Sequence, residues 1–255
     1  MADKAFTDDA ILGGALTLRQ PKRGHRFGHD AILLAAATPA KSGEHAVELG
    51  AGVGAAGLAL ASRVAGLRVT MVEIDGDLAA LASHNSKVNG FSERARALTL
   101  DVATPARAFA AAGLTSGSVQ RVLMNPPFND PARRRSSPDS RRSLAHSAPL
   151  EALSQWVRRA FFLLGASGTL TLIWRADGLG DVLAALARGF GGVAILPVHP
   201  RPDAVAIRIL VSTTKGSRAP LTLLPGLTLN DADGRPTAQA EAVLRGGEAL
   251  RLGRE

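Results

Sequence analysis

The stretch VLMNPPFND, Val122 to Asp130, ends an apolar run in an amide, two prolines and a phenyl ring. The Asn125 side chain offers a carbonyl oxygen. Pro126, its φ fixed by the ring, presents a main-chain carbonyl at a set angle. Two acceptors held this way suit the two hydrogens of a flat NH₂ group. An exocyclic amine or an amide nitrogen is a poor nucleophile because its lone pair is delocalised, and it must become more tetrahedral to attack a carbon. Phe128 adds a ring face on which a planar base can stack, a contact worth about 1–3 kcal/mol. No general base of shifted pKa is required, since alignment alone reaches effective molarities of about 10⁵–10⁸ M. Asn125, Pro126, Pro127 and Phe128 are therefore the candidate catalytic set. The structural alternative is a diproline turn that closes a strand.

A second cluster lies upstream. In ELGAGVGAAGLAL, Gly50, Gly52 and Gly54 stand between a strand and a helix, where the absent Cβ lets the backbone turn and lie against a ligand. Glu48 places a carboxylate at the strand's end. Glu73 ends the next strand, 19 residues after Gly54, where it can accept hydrogen bonds from a ribose diol, each contributing roughly 1.5–3 kcal/mol. Asp101, followed by Val102, ends the strand after that and can reach an adenine amine. Three acids at three successive strand ends line one edge of a sheet, the edge at which open α/β sheets bind ligands. A pyrophosphate beside Glu48 would be repelled, whereas a sulfonium carrying an ammonium group would be attracted. The acids thus favour S-adenosylmethionine over a nicotinamide dinucleotide, and Asn125 borders the same crevice.

The elements that must position these groups follow from periodicity. HAVELG, LRVTMVEID, ARALTLDV and SVQRVLMN read as strands, separated by the helical stretches AAGLALASRVAG, DLAALASHNSKVNG and PARAFAAAGL. Successive strand ends fall 23 to 28 residues apart, the length of one strand–helix unit. The pattern predicts a mostly parallel sheet with helices on both faces. Upstream, LGGALTLRQP reads as a hairpin-like piece, and Asp30 is placed to cap the helix AILLAAA, which Pro39 stops. Downstream come the helix LEALSQWVRRAFFLLG, the strand GTLTLIWR, the helix GLGDVLAALARGFG, and the strands VAILPVHP and AVAIRILVSTTK, expected to pair antiparallel. The last stretch is expected to hold a strand pair around Pro225-Gly226 and a weak terminal helix. Residues 1–43 form an N-terminal cap, 44–215 the main domain and 216–255 a C-terminal extension.

Between 130 and 149 the composition shifts to five Arg, five Ser and three Pro in 20 residues, which predicts a mobile basic loop. Arg133, Arg134, Arg135, Arg141 and Arg142 would hang over the mouth of the site and grip phosphates; the alternative is a solvated loop. The whole chain carries 30 Lys and Arg against 22 Asp and Glu, a net charge of +8. Such a surface attracts polyanions, with RNA the leading partner class, unless it reflects a generally Arg-rich proteome. The absence of cysteine excludes disulfides, thiolate metal sites and Cys nucleophiles. The six His show no metal-ligand spacing: His25 and His29 are four apart but interrupted by glycine. The acidic N-terminus MADKAFTDDA is unlike a signal peptide, and no segment reaches the roughly 18 apolar residues of a membrane span. A cytoplasmic protein without metal or membrane partner is expected.

These residues resemble the class I S-adenosylmethionine-dependent methyltransferases, within them the subset carrying [ND]PP[FYW]. RGHRFGHDAILLA, ELGAGVG, VEID, LDV and NPPF together look most like the bacterial tRNA(Val) adenine-N6 methyltransferase family, over roughly residues 20–215. The resemblance implies a Rossmann-like α/β fold with a mostly parallel seven-stranded sheet and an antiparallel C-terminal strand pair. It assigns Glu48, Gly50, Gly52 and Gly54 to the first cofactor motif, Glu73 to the ribose and Asp101 to the adenine. Asn125 through Phe128 become the catalytic tetrapeptide, and Arg26, Gly28 and Asp30 cover the methionine end of the cofactor. The insertion after NPPFND and the tail after Lys215 depart from the core family, and substrate choice resides in such appendages.

Adenine in RNA, tRNA foremost, is thus the expected acceptor, its base flipped or taken from a loop. A protein glutamine-N5 or rRNA guanine-N2 methyltransferase would share the NPPF chemistry, though a protein substrate explains the arginines poorly. An RNA-binding protein on a degenerate methyltransferase scaffold is the non-enzyme alternative, which the intact acids and NPPF oppose. A nicotinamide-dependent dehydrogenase is disfavoured by Glu48 and by the absence of a hydride-transfer constellation.

Overall fold

The computed structural model describes residues 5–23, 26–127 and 142–253, the first eight of the last stretch in backbone only. An antiparallel hairpin, β1 (Phe6–Ile11) and β2 (Leu16–Pro21), precedes the helix α1 (His29–Ala37). Five strand–helix units follow: β3 (His45–Leu49), α2 (Ala55–Arg63), β4 (Arg68–Glu73), α3 (Gly76–Val88), β5 (Ala95–Thr99), α4 (Ala106–Ala111), β6 (Val119–Met124), α5 (Arg142–Leu163), β7 (Leu164–Arg175) and α6 (Leu179–Leu186). The chain then runs through β8 (Phe190–His199), β9 (Arg208–Lys215), β10 (Thr222–Leu223), β11 (Leu227–Thr228) and α7 (Ala238–Leu244).

The main sheet has the order β10-β8-β9-β7-β6-β3-β4-β5, with β11 also on β8. Strands β3 to β7 pair parallel, and β9 lies antiparallel between β7 and β8. From β3 the chain builds outward through β4 and β5, then returns to the other side of β3 with β6. The gap above β3 and β6 is therefore the topological switch point, where parallel sheets open a crevice at their carboxyl ends. Alternate strand residues feed the two faces. Val69 and Met71 join the cluster under α1 and α2, whereas Val47, Leu49, Val72, Val122 and Met124 join that under α4, α5 and α6.

Three expectations change in detail. Asp30 is not the cap of α1. Gly28 occupies that position without a side-chain cap bond, and Asp30 sits in the first turn, held instead by an ion pair described below. The loop expected over 130–149 does not include its last eight residues, because α5 begins at Arg142 and carries Pro149 within it; residues 130–141 lie outside the described residues. The short strands flanking Pro225-Gly226 do not pair with each other; β10 and β11 each extend the sheet parallel to the outer edge of β8. The seven long strands thus gain two of two residues each. The segment after Lys215 also enters the core. Leu227, Val243, Leu250 and Leu252 are buried with the α1 and α2 cluster, and the Leu250 N–H donates to the Ala36 carbonyl at 2.8 Å. Among the described residues no helix is long and apolar enough to cross a membrane.

Candidate active site

At the switch point lies a cavity of about 520 Å³, within the usual range for small-molecule sites. Its walls are segment 26–31, Glu48, the loop 50–53 with Ala55 and Ala56, Asn125 to Pro127, and Arg208. Of the residues singled out by sequence, Arg26, Gly28, Asp30, Glu48, Gly50, Gly52, Asn125, Pro126 and Pro127 share this cavity. Phe128, Arg133, Arg134, Arg135 and Arg141 lie outside the described residues, and the side chain of Arg142 does as well.

The glycine loop explains itself locally. Gly50, Gly52 and Gly54 have φ of +71°, +55° and +85°, the left-handed region that L residues avoid. Gly50 also admits the Trp156 ring of α5, which a Cβ would overlap. Gly54 caps α2, and a Cβ there would come within 2.7 Å of the Met71 sulfur. Its part is packing helix on strand, and it does not line the cavity.

The acids are held by backbone. The Gly57 N–H donates to Glu48 Oε2 at 2.7 Å. Glu48 is 5% exposed, and burial, opposed by the Gly57 bond and reinforced by nearby Glu73, pushes its carboxyl up to about 8. Glu73 accepts from the Gly52 N–H at 2.6 Å and the Asp75 N–H at 3.0 Å. It thereby ties the end of β4 to the glycine loop. Asp101 accepts from the Ala103 N–H at 2.8 Å, two residues past β5. Glu73, Asp101 and Val102 stand along the strand ends beside the cavity but do not form its wall. Between Glu73 and the turn of α3, Ile74 is 64% exposed, an apolar platform at this edge.

Arg26 turns its guanidinium to the hairpin, donating to Asp9 Oδ2 (3.0 Å), Thr7 Oγ1 (3.1 Å) and the Pro21 carbonyl (3.0 Å). A Gln20 amide bond, with Thr7 and Arg26, holds the Asp9 carboxyl below its ordinary range. Gln20 also accepts from the Phe27 N–H at 3.2 Å, so the hairpin carries the wall formed by residues 26–28. Asp30 accepts from Arg208 Nε at 2.8 Å across 178 residues of sequence.

Arg208 and Trp156 were not identified by sequence reasoning, and neither sits in a motif. Asn85 was missed too. Its amide is fully buried on α3; it accepts from the Arg19 N–H (2.7 Å) and donates to the carbonyls of Arg19 (3.0 Å) and Val53 (2.9 Å). One turn on, Asn89 repeats the pairing with Thr17 N–H and C=O at 2.9 and 2.8 Å. The two amides imitate a neighbouring strand for β2 and peg it to the glycine loop.

Two features of the cavity point to its ligand. Among the described residues Asn125 Oδ1 is buried without a hydrogen-bond partner, although such atoms are nearly always paired. The carboxyl of Glu48, held short of ionisation by its surroundings, gains from a cation placed beside it. An amine donor and a cationic group therefore both fit these walls, as S-adenosylmethionine chemistry requires.

Comparison with known proteins agrees. The methyltransferase small domain family matches residues 26–177. The tRNA1(Val) (adenine(37)-N6)-methyltransferase of Porphyromonas gingivalis is 30% identical over 161 residues, 62% of this chain and 61% of that protein. The release factor glutamine methyltransferase of Chlorobaculum tepidum is 27% identical over 165 residues, 62% of this chain and 54% of that one. The chain thus spans less than two thirds of the length of these curated relatives. The crystal structure described as a predicted O-methyltransferase from Agrobacterium tumefaciens superposes with a TM-score of 0.74 at 31% identity, covering 89% of this chain and 99% of that one. The chain belongs to the methyltransferase small domain family, whose methyl donor is S-adenosylmethionine.

Proposed function

We propose that this protein is an S-adenosylmethionine-dependent N-methyltransferase acting on the exocyclic amine of adenine in RNA, with tRNA the favoured class. The observation that carries it is the buried Oδ1 of Asn125 in the cavity wall, unpartnered among the described residues and followed by Pro126. S-adenosylmethionine, when bound, supplies an electrophilic methyl group on a cationic sulfur. Glu48 and the loop 50–53 hold the amino acid end of the donor. Glu73 holds the ribose, and Ile74, Asp101 and Val102 the adenine. Asn125 and the Pro126 carbonyl accept the two N–H groups of the substrate amine, directing its lone pair at the methyl group, and Phe128 stacks the base. A hydroxyl acceptor would offer one hydrogen where this arrangement supplies two acceptors, which favours nitrogen over oxygen.

The net charge of +8 supports a polyanionic substrate, and the Porphyromonas relative acts, by its name, on a tRNA adenine. An RNA substrate fits a cytoplasmic location. The test is transfer of a tritiated methyl group from S-adenosylmethionine to total RNA and total protein of a strain lacking the gene, followed by hydrolysis and chromatography. Label in N6-methyladenosine is expected. Label in N5-methylglutamine, in N2-methylguanosine or on oxygen would replace the adenine assignment.

A further inference from the structure

A second cleft, of about 580 Å³, lies between α5 and α6 and is lined by Ser154, Val157, Arg158, Phe161, Ala184, Ala185 and Arg188. Several other arginines are paired with acids: Arg19 with Asp8, Arg26 with Asp9, Arg121 with Glu44, Arg208 with Asp30. Arg158 and Arg188, one from α5 and one following α6, are exposed and make no ion pair among the described residues. Among the described residues no carboxylate lines the cleft; the nearest along the two helices are Glu151 and Asp181, one turn before Ser154 and Ala184.

Positive charge also backs the floor. Lys215 Nζ donates to the Phe161 and Leu164 carbonyls at 2.7 and 2.6 Å and lies 4.3 Å from the Phe161 ring centroid. Phe161 is fixed further by an edge contact with Phe190, centroids 5.5 Å apart. The cleft therefore offers two unpaired guanidinium groups, a Ser154 hydroxyl and an apolar floor. Planar forks of N–H donors match phosphate oxygens, and the apolar floor takes a sugar or base face.

The opposite side of the same helix reaches the proposed donor site. Trp156 lies against Gly50, and Arg159 donates to the Val102 carbonyl at 3.1 Å through Nε and to the Thr104 carbonyl through Nη2. A strand lodged in the cleft would be held on the helix that borders the catalytic cavity. We infer that the α5–α6 cleft is a phosphate-binding subsite that grips the backbone of the RNA substrate away from the nucleotide being methylated. The inference rests on the RNA reading above.

The test measures binding of a single-stranded oligoribonucleotide across a salt series, for the wild type, for Arg158→Ser/Arg188→Ser, and for a control of equal charge loss elsewhere, Arg68→Ser/Arg235→Ser. Loss of two phosphate contacts should lower the slope of log K against log salt by about 1.4 in the cleft variant, with the control keeping the wild-type slope and both variants binding S-adenosylmethionine as before. A cleft variant whose slope matches the wild type, or matches an equally flattened control, overturns the subsite and leaves the RNA assignment standing. A wild type that binds no RNA at low salt overturns both.

Discussion

Under the proposed function two side chains, Asn125 and Glu48, have the principal roles, and each makes a measurable demand. Replacing Asn125 with Ala removes one oriented acceptor. By analogy with other single-donor losses at a reacting centre, transfer should fall by roughly 10²–10³, with donor affinity nearly intact. Comparing single-turnover rates at saturating S-adenosylmethionine checks this, and equal rates would remove the residue from its role. Glu48 makes a pH-dependent demand. Its folded pKa of about 8 lies above the ordinary carboxyl value of 4.5, so the folded state retains a proton that the unfolded chain has released. Its contribution to stability is full below pH 4.5 and is lost as pH rises to about 8. Glu48→Gln should flatten that decline in urea titrations repeated across pH. A bound cation favours the ionised carboxylate, so donor binding at pH 7 should release a proton. Binding heats measured in two buffers of different ionisation enthalpy should then differ.

At the scale of elements, the hairpin is fixed to the domain by side-chain amides in place of a third strand. Truncating Asn85, itself fully buried, leaves the Val53 carbonyl without a partner in a buried setting and the Arg19 N–H and carbonyl without one in a half-buried setting. At about 1–3 kcal/mol for the buried carbonyl, and less for the two half-buried Arg19 groups, Asn85→Ala should cost roughly 2–4 kcal/mol in chemical denaturation. Asn89→Ala, in a more exposed place, should cost under about 1 kcal/mol. An equal small cost for both would remove the ladder from the account. The difference also shows what sequence can convey. The strand–helix alternation and the glycine turn were legible because periodicity and the need for positive φ are local properties. Asn85 within α3 and Asn89 at its C-cap carry no mark of their contact with the hairpin. The Asp30–Arg208 pair joins positions whose proximity only the sheet order creates. Composition hid the start of α5, because Arg, Ser and Pro149 read as loop, proline being a residue that ordinarily kinks or breaks a helix interior. The short strands β10 and β11 exist only because β8 offers an edge, so nothing within their own sequence reports their pairing.

At the scale of the molecule, the cavity at the switch point is assembled from distant parts of the chain: 26–31, Glu48 with 50–53, Ala55 and Ala56, 125–127, and Arg208. The C-terminal segment underpins this assembly, because Leu250 and Leu252 are 6% exposed each and pack with the α1 cluster. Ending the chain after Gly246 would expose the surface those side chains cover, at about 1.5–3 kcal/mol per leucine. Thermal denaturation should show a clearly lower midpoint; an unchanged midpoint would make the segment a dispensable appendage. The central claim is that the cavity at the switch point takes a cationic adenosyl donor, and calorimetric titration of the folded protein tests it most directly. The account predicts saturable binding of S-adenosylmethionine at one site and none of a nicotinamide dinucleotide. Absence of any binding of S-adenosylmethionine to folded protein would contradict it.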